Sequence, residues 1–384
     1  MRVYTGAPGL NMRAGSSMFS LTDIRDMTKQ AHDQGAGLYL ALNTILYDDD
    51  LDRAAAILDE AADIGVDAVI LWDMSALVLA QERGLPVHLS TQASIANSRS
   101  AEWYAKLSVK SIVLARELSI PKIADTIARV RSNSTDLRFE CFVHGALCVA
   151  VSGRCLTSQF LYGKSANRGE CIQPCRRSYN ITDDRNGHEL TLDGHTVMST
   201  KDLCTIDIID RLIDAGIDAF KIEGRMRDAR YVSETITCYR EARDAVINGE
   251  YTPEKIEGWR KRLNGVYHRG FTHGFYGSDP DHDITYEEGN QATTEKVYLG
   301  RIGNYFPRAK AADIILETGS LTMGERLLIT GPTTGAVEFT INSLRSEDNR
   351  PVESVPQSRT AGVGVPERVR ENDRVFILRD NSQN

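Results

Sequence analysis

The chain has no cysteine in its first 140 residues and none after Cys238, although it contains seven in all. Five of the seven lie between Cys141 and Cys175, and Cys204 and Cys238 follow. Cysteines that serve only as small buried apolar residues have no reason to gather in one segment. The clustering therefore predicts a metal or iron–sulfur site, with buried free thiols as the alternative.

Long apolar runs are also missing, and the mean hydropathy of the 384 residues is −0.31. A membrane-spanning helix needs about 20 consecutive apolar residues, so the sequence excludes such a span. The first residues lack the apolar core of a signal peptide. We therefore expect a cytoplasmic protein whose thiols are reduced.

An excess of positive charge is absent, because 45 Lys and Arg face 53 Asp and Glu, for a net charge of −8. This balance argues against a protein that coats nucleic acid non-specifically, but a local basic patch is still able to bind a defined RNA. Hydrolase and nucleotide-binding motifs are missing too. Gly163-Lys164-Ser165 has Ser158 where a P-loop needs its first glycine, and no zincin or nucleophile-elbow motif occurs.

Short apolar runs alternate with amphipathic segments such as Leu51–Ile64 and Leu203–Ala215 over the first part of the chain. This alternation predicts a parallel sheet. Eight candidate strands favour an α/β fold with a TIM-barrel-like (β/α)8 domain, and a doubly wound sheet is the competitor. The predicted strands are Val3–Thr5, Gly37–Leu42, Asp67–Leu71, Pro86–Leu89, Ser111–Ala115, Leu137–Val143, Thr196–Met198 and Ile217–Ile222.

The C-terminal part differs, because its apolar runs are short, rich in β-branched residues and separated by turn residues. We predict a small all-β barrel there. The expected domains are the (β/α) barrel over 1–250, a helical and loop connector over 251–296, and the β-barrel over 297–384.

Charged and polar side chains follow several predicted strands where ligands bind in α/β folds. Arg116, Glu117 and His144 end two strands, and the alternation of Lys221 and Glu223 places both on one face of another. These five side chains are candidates for substrate binding or proton transfer. A structural ion-pair network is the alternative for the charged ones, and a satisfied structural histidine is the alternative for His144.

Four cysteines follow the spacing C-x6-C-x15-C-x3-C, which suits either zinc or an iron–sulfur cluster. They are Cys148, Cys155, Cys171 and Cys175. The first two are not spaced as in a zinc knuckle, which favours iron–sulfur. Cys204 competes with Cys175 for the fourth ligand position, whereas Cys141 and Cys238 are expected to be core residues.

These residues resemble the collagenase-like peptidase family U32. The similarity covers nearly the whole chain and is strongest around the cysteines. The motifs that carry it are His88-Leu89-Ser90-Thr91-Gln92, Glu140-x-Phe142-x-His144-Gly145-Ala146-Leu147-Cys148, Ser152-Gly153-Arg154-Cys155, Arg168-Gly169-x-Cys171-x-Gln173-Pro174-Cys175 and Phe220-Lys221-Ile222-Glu223-Gly224-Arg225.

The resemblance implies two activities. The family name implies proteolysis, of collagen in particular. Other members are implicated in oxygen-independent hydroxylation of tRNA, ribosomal RNA or ubiquinone precursors, with a 4Fe–4S cluster held by four cysteines. The architecture is most similar to members that convert the tRNA wobble uridine to 5-hydroxyuridine, with prephenate as oxygen source and in some cases a partner subunit of the same family.

Carried onto this chain, the resemblance implies Cys148, Cys155 and Cys171 as cluster ligands, with either Cys175 or Cys204 as the fourth. Family members usually begin with an additional strand and a Pro-Ala-Gly loop, so the barrel is expected to be open or to lack its first strand. A third possibility is an RNA-binding module whose metal site is purely structural.

Overall fold

The computed structural model describes residues 1–12, 19–133, 136–182, 185–187, 189–190, 196, 198–225, 227–277, 284–285 and 289–381. The chain divides into two compact units. The first comprises 1–226 and 269–289, and the second comprises 227–268 and 290–384. This division differs from the predicted boundaries at 250 and 296.

The first unit is built on a mostly parallel sheet. Its strands are β1 (Arg2–Gly6), β2 (Gly37–Ala41), β3 (Ala68–Leu71), β4 (Val87–Leu89), β5 (Ser111–Val113), β6 (Arg138–Ala146), β7 (Ile181–Thr182), β8 (Glu189–Leu190), β9 (Asp202–Cys204), β10 (Ala219–Ile222) and β11 (Phe271–Thr272). Strands β1 to β6 pair in chain order, and β10 pairs with β6, all in parallel. Strand β9 lies antiparallel to the end of β6 and pairs with β11, while β7 and β8 form a separate hairpin.

Helices connect these strands, and local sequence signals set their ends. They are α1 (Leu21–Asp33), α2 (Leu51–Ile64), α3 (Met74–Glu82), α4 (Ser98–Lys106), α5 (Ile120–Arg131), α6 (Thr157–Tyr162) and α7 (Ile209–Asp214). Ser20 and Asp23 form a capping box at the start of α1, and the Asp73 carboxylate accepts from the Ser75 amide at α3. Gly65, with φ +80°, ends α2 in the left-handed conformation that glycine adopts without strain.

The predicted parallel sheet is confirmed, but a closed barrel is not. In the described ranges, no backbone pairing joins β1 to β10, the two ends of the seven-stranded parallel arrangement. Side chains bridge them instead. The Tyr4 hydroxyl donates to Glu223 Oε2 at 3.0 Å, and Lys221 Nζ lies 4.6 Å from the centre of the Tyr4 ring.

The predicted strand Thr196–Met198 is wrong. Thr196 forms only an isolated bridge with Ser178, and Val197 lies outside the described residues. The strand at this point is β9, which the sequence pattern assigned partly to a helix. Its buried charge, Asp202, is neutralised by Arg269 at 2.8 Å, and this hidden ion pair masks the strand in the hydropathy pattern.

The second unit combines two helices with antiparallel strands. The helices are α8 (Ala229–Ile247) and α9 (Pro253–Asn264), and the strands are β12 (Thr294–Phe306), β13 (Ala311–Leu316), β14 (Leu321–Thr322), β15 (Arg326–Gly331), β16 (Gly335–Thr340), β17 (Leu344–Arg345), β18 (Ser354–Val355), β19 (Thr360–Gly364) and β20 (Arg374–Asp380). Seven strands form one sheet in the order β16-β15-β20-β12-β13-β19-β17, and β14 pairs with β18. The predicted β-rich region is confirmed, whereas its closure into a barrel is not.

Helix α8 is tied to the second unit by a buried arginine. Arg230 Nε donates to Glu338 Oε2 of β16 at 2.8 Å, and Arg230 Nη1 donates to the Gly265 carbonyl at 2.6 Å. These bonds explain why 229–247 groups with the β-strands, although the prediction placed it in the barrel domain. No helix in the described parts of either unit has the length and apolarity needed to cross a membrane.

Candidate active site and cysteine group

A cavity of about 170 Å³ lies at the carboxyl ends of the parallel strands of the first unit. This is the edge at which α/β folds bind ligands, because the loops that follow the strands converge there. Side chains from successive strand ends form its wall. They include Tyr4, Asn43, Gln92, Arg116, Phe142, Lys221 and Glu223.

Four cysteines line the same cavity, and we call Cys148, Cys155, Cys171 and Cys175 the four-thiol group. They belong to a loop segment that repeatedly changes direction. Ser152 and Gln173 adopt left-handed φ values of 47° and 55°. These turns lie between and beside the cysteines in the chain, all four of which reach the cavity.

The pKa of Cys175 depends on the other members of this group. Burial raises the pKa of Cys175, the Arg176 guanidinium opposes that rise, and the three other thiols add to it. Cys155 Sγ accepts from the Thr157 amide at 3.4 Å. Cys175 therefore lies within electrostatic range of the three other sulfur atoms.

The donor set fits a thiolate-bound site, because four cysteine thiols suit zinc or an iron–sulfur cluster alike. Within the described ranges, no three His, Cys, Asp or Glu side chains stand close enough to hold one metal ion as they are placed.

The remaining cysteines lie elsewhere. Cys204 is buried in β9, where it pairs in register with His144 of β6, and it does not line the cavity. Cys141 and Cys238 are buried, as expected of core residues, and burial raises the pKa of each thiol to about 12. The structure thus brings Cys175, and not Cys204, together with the other three cysteines of the predicted site.

The cavity is locally positive in an acidic chain, since Arg116, Arg176, Lys221, Arg225 and Arg269 line it. The Arg116 guanidinium stacks 3.9 Å from the centre of the Phe142 ring, and Nη1 donates to the Ala146 carbonyl at 2.9 Å. Its Nε is buried and has no hydrogen-bond partner in the described chain. An anionic ligand would accept a hydrogen bond from this nitrogen and would balance the excess positive charge.

Lys221 lies between two carboxylates, Glu140 and Glu223. Burial lowers the pKa of Lys221, and both carboxylates oppose that shift. The pKa of Tyr4 is raised by burial and by Glu223, which accepts the phenol proton in a hydrogen bond. The three side chains Tyr4, Glu223 and Lys221 thus form a proton-carrying set that faces the cavity.

Glu140 stands behind Lys221 as a buried anion. His88 Nδ1 lies 2.8 Å from Glu140 Oε1, and the Ser111 hydroxyl donates to the same oxygen at 2.7 Å. Burial alone would raise the pKa of Glu140, but the His88 hydrogen bond and the charge of Lys221 lower it to about 2. The ionised Glu140 carboxylate therefore opposes the downward shift that burial gives the pKa of Lys221.

This shift predicts how stability depends on pH. Because the folded-state pKa of Glu140 is depressed, its contribution is complete above the unfolded value near 4.5 and is lost as pH falls toward about 2. We expect Glu140→Gln to lower the free energy of unfolding on the order of 3 kcal/mol at pH 7, and by progressively less below pH 4. Urea unfolding at several pH values measures the difference.

Glu60→Gln is the matched control, because Glu60 forms an exposed ion pair with Arg25 at 2.6 Å. Such surface pairs contribute at most about 1 kcal/mol. An effect of Glu140→Gln that is no larger than that of Glu60→Gln, or that does not shrink at low pH, would contradict the assignment.

Three of the five predicted substrate-binding or proton-transfer residues line the cavity, namely Arg116, Lys221 and Glu223. The side chains of His144 and Glu117 do not. His144 is buried, with its ring centre 5.6 Å from that of Phe271. The Glu117 carboxylate accepts from the Ser152 amide at 2.6 Å and from the Ser152 hydroxyl at 3.3 Å. Glu117 is thus a positioning residue for the turn between Cys148 and Cys155.

We expect Glu117→Ala to loosen this turn. The charged hydrogen bond to Ser152 stabilises a residue in left-handed backbone conformation, and bonds to charged groups contribute about 1.5–3 kcal/mol. Amide hydrogen exchange at Ser152 should therefore accelerate about 10- to 100-fold. Glu170→Ala, which breaks only an exposed pair with Lys164, should leave that rate unchanged. Amide exchange at Ser152 that is equally fast in both variants would contradict the positioning role of Glu117.

Sequence reasoning missed Tyr4, His88 and Glu140. Tyr4 lies in the short strand β1, and its role depends on β10, which is more than two hundred residues away in the chain. A signal for Glu140 was present, because it is a carboxylate inside an apolar run. A charge in such a position needs a buried partner, and the inward-facing Lys221 was available.

Comparisons with known proteins add to this geometry. The model of "Peptidase family U32" matches residues 1–285. A "Collagenase" of Porphyromonas gingivalis is 38% identical over 381 residues, covering 97% of this chain and 92% of that protein. The "23S rRNA 5-hydroxycytidine C2501 synthase" of Escherichia coli is 41% identical over 245 residues, covering 64% of this chain but only 36% of that protein.

The "tRNA hydroxylation protein P" of Escherichia coli is 26% identical over an alignment of 415 positions, covering 95% of this chain and 89% of that protein. Relatives named for RNA modification and a relative named for proteolysis are thus both similar to this chain in sequence. Their names describe enzymatic activities. The family match extends across the strand-end cavity and the four-thiol group. The chain belongs to peptidase family U32.

Proposed function

We propose that the protein hydroxylates a pyrimidine base of RNA without O₂, converting the wobble uridine of tRNA to 5-hydroxyuridine. The observation that carries the proposal is the four-thiol group on the wall of a positively charged strand-end cavity. Two relatives named for RNA hydroxylation support the substrate class. A peptidase that acts through one nucleophile has no evident use for four thiols at one cavity.

Coverage of the relatives favours tRNA over ribosomal RNA. The similarity to the tRNA hydroxylation protein spans 95% of this chain, so it includes much of the second unit. The ribosomal RNA synthase is more identical in sequence but aligns with only 245 residues. Of these two relatives, the tRNA hydroxylation protein is the one that resembles nearly the whole chain, so a shared tRNA substrate is the simpler inference.

We further propose that the four-thiol group holds a 4Fe–4S cluster through Cys148, Cys155, Cys171 and Cys175. When bound, such a cluster supplies the electron-transfer chemistry that amino-acid side chains lack. The nearby Arg176 guanidinium favours thiolate over thiol at Cys175, because it offsets the negative charge. The Thr157 backbone amide donates a hydrogen bond to Cys155 Sγ and would orient that ligand.

The cationic side of the cavity would take the oxygen-donating co-substrate, for which the family resemblance suggests prephenate. Arg116 and Lys221 are placed to bind its carboxylates, and the unpartnered Nε of Arg116 is a ready donor. Tyr4 holds its proton against Glu223 and is able to pass it to a ligand atom in the cavity. Phe142 and Leu147 exclude water from one wall.

Nucleoside mass spectrometry tests this function. RNA from a strain that lacks the gene is separated into tRNA and ribosomal RNA before digestion. We expect 5-hydroxyuridine to disappear from tRNA and to return with the wild-type gene but not with Cys171→Ala. Loss of 5-hydroxycytidine from ribosomal RNA alone would replace the tRNA assignment. Unchanged nucleosides in both fractions would refute hydroxylation and leave a structural RNA-binding module.

Peptidase activity is the second candidate, because a relative is named collagenase. A cysteine peptidase needs a base beside its nucleophile, yet no histidine lines the cavity among the described residues. Gelatin cleavage that survives iron removal and disappears in Cys148→Ala would favour this reading. The need for a partner subunit of the family is tested by whether the purified protein acts alone.

A further inference from the structure

Exposed apolar side chains are concentrated on the loop segment that carries the four-thiol group. Phe160 on α6 is 81% exposed, and Tyr162 is 43% exposed. Four aliphatic neighbours are exposed as well, namely Val149, Val151, Leu156 and Leu161. Exposed apolar side chains gathered on one segment beside a candidate active site are typical of a binding surface.

Arginines accompany the aromatic rings of this surface. The Arg177 guanidinium lies 4.8 Å from the centre of the Tyr162 ring, and Nη1 donates to the Tyr162 hydroxyl at 3.2 Å. The Arg154 guanidinium lies 5.8 Å from the centre of the Trp72 ring. Both arginines adjoin cavity-lining residues, because Arg154 precedes Cys155 and Arg177 follows Arg176.

The charge of the segment is strongly positive. Between Cys148 and Ser178 the only carboxylate is Glu170, whereas the cations are Arg154, Lys164, Arg168, Arg176 and Arg177. The chain as a whole has a net charge of −8, so this local excess is not a general property of the surface. It is complementary to a polyanion.

We propose that Trp72, Arg154, Phe160, Tyr162 and Arg177 form an aromatic rim that binds the unpaired nucleotides flanking the target base. The inference rests on the proposed function and adds how that site holds its RNA. Bases stack on aromatic faces and on guanidinium planes, and phosphates pair with the arginines. Phe160 and Tyr162 are exposed, and Trp72 is half-buried with its indole N–H bonded to the Asn43 carbonyl. Rings accompanied by arginines in this way favour RNA over a protein partner.

The size of the cavity gives a reason for such a rim. A cavity of about 170 Å³ is far too small for an RNA helix, so the bulk of an RNA must bind outside it. Enzymes that modify a base take it out of the stack, and its neighbours then lose their stacking partners. Rings beside the cavity mouth would replace those partners and hold the strand in register.

Variants of the rim separate stacking from simple apolar contact. Phe160→Ala removes the ring, Phe160→Leu keeps an apolar side chain without an aromatic face, and Phe160→Trp keeps the face. Because Phe160 is 81% exposed, none of these changes should unfold the protein. Trp103→Ala is the matched control, since Trp103 is 59% exposed beside Lys106 on α4, outside the loop segment that carries the four-thiol group.

Fluorescence anisotropy with a labelled single-stranded oligouridine of roughly 12 nucleotides measures binding to the full chain. We expect Phe160→Ala combined with Tyr162→Ala to weaken binding at least about tenfold, and Phe160→Trp to bind as the wild type does. Arg177→Gln should lower the slope of log affinity against log salt by about one. Trp103→Ala should stay within about twofold, and an RNA duplex of the same length should bind weakly.

Three results would overturn the rim. They are wild-type affinity in the double variant, wild-type affinity in Phe160→Leu, and a change in oligomeric state without a change in RNA affinity, which would identify a protein interface. The assay needs no turnover, so it is independent of the hydroxylation test. If the double variant hydroxylates RNA as well as the wild type does, the RNA-binding role of the rim is refuted but the proposed reaction is not. If RNA binding depends on the rim but no hydroxylated nucleoside is found, the proposed reaction is refuted but the rim is not.

Discussion

Replacing Cys175 by alanine is expected to remove bound iron and RNA hydroxylation together, to the background of each assay. Cys175 lines the cavity with Cys148, Cys155 and Cys171, and its pKa responds to all three. Without Cys175, only three thiolates of the group would be left to hold the cluster. Because the proposed redox step depends on the cluster, iron content and turnover should fall in parallel.

Cys204→Ala is the decisive control, because Cys204 is the competing fourth ligand. It is buried in β9 and does not line the cavity. We expect this variant to retain its iron and most of its activity, with a modest loss of stability from the removed buried sulfur. The opposite pattern, in which Cys204→Ala loses iron and Cys175→Ala keeps it, would show that the ligand assignment is wrong.

Lys221→Met is expected to lower the rate of hydroxylation by about 10²- to 10⁴-fold while iron content stays unchanged. Lys221 lies between Glu140 and Glu223, and it faces the cavity where an anionic co-substrate would bind. Removing the ammonium takes away a positive charge that faces both carboxylates, so the site attracts an anionic ligand less strongly. Both weaker co-substrate binding and a slower chemical step should result.

The measurement is steady-state kinetics with the co-substrate varied, together with iron analysis of each variant. Lys201→Met is the matched control, because Lys201 follows Thr200 near β9 and does not line the cavity. We expect its kinetics to match those of the wild type within about twofold. Comparable losses in both lysine variants, or loss of iron in Lys221→Met, would indicate a structural effect.

Local patterns predicted the parallel strands and the helix Leu51–Ile64, because buried strands and amphipathic helices have distinct hydrophobic periods. Cysteine spacing identified the four-thiol group, since the ligands lie within one short segment. Strand ends pointed to Arg116, Lys221 and Glu223 because residues at the carboxyl ends of parallel strands share one edge. Each of these inferences needed only short-range information.

The rest depends on contacts between distant residues. Tyr4 joins the site only because β1 lies near β10, and Glu140 acquires its low pKa from His88, Lys221 and Ser111, which lie on other strands. Strand β9 was hidden by a buried ion pair whose two members are 67 residues apart. The assignment of 229–247 to the second unit follows from Arg230, which bonds to Glu338. These contacts join residues that are far apart in the chain, so no pattern of neighbouring residues reveals them.

Iron and acid-labile sulfide, measured on protein purified without air, test the central claim most directly. The account predicts about four iron and four sulfide per chain, with a broad absorbance near ~400 nm that Cys175→Ala abolishes and Cys204→Ala retains. One zinc per chain without sulfide, or no metal after anaerobic reconstitution, would contradict the iron–sulfur assignment and with it the proposed hydroxylation.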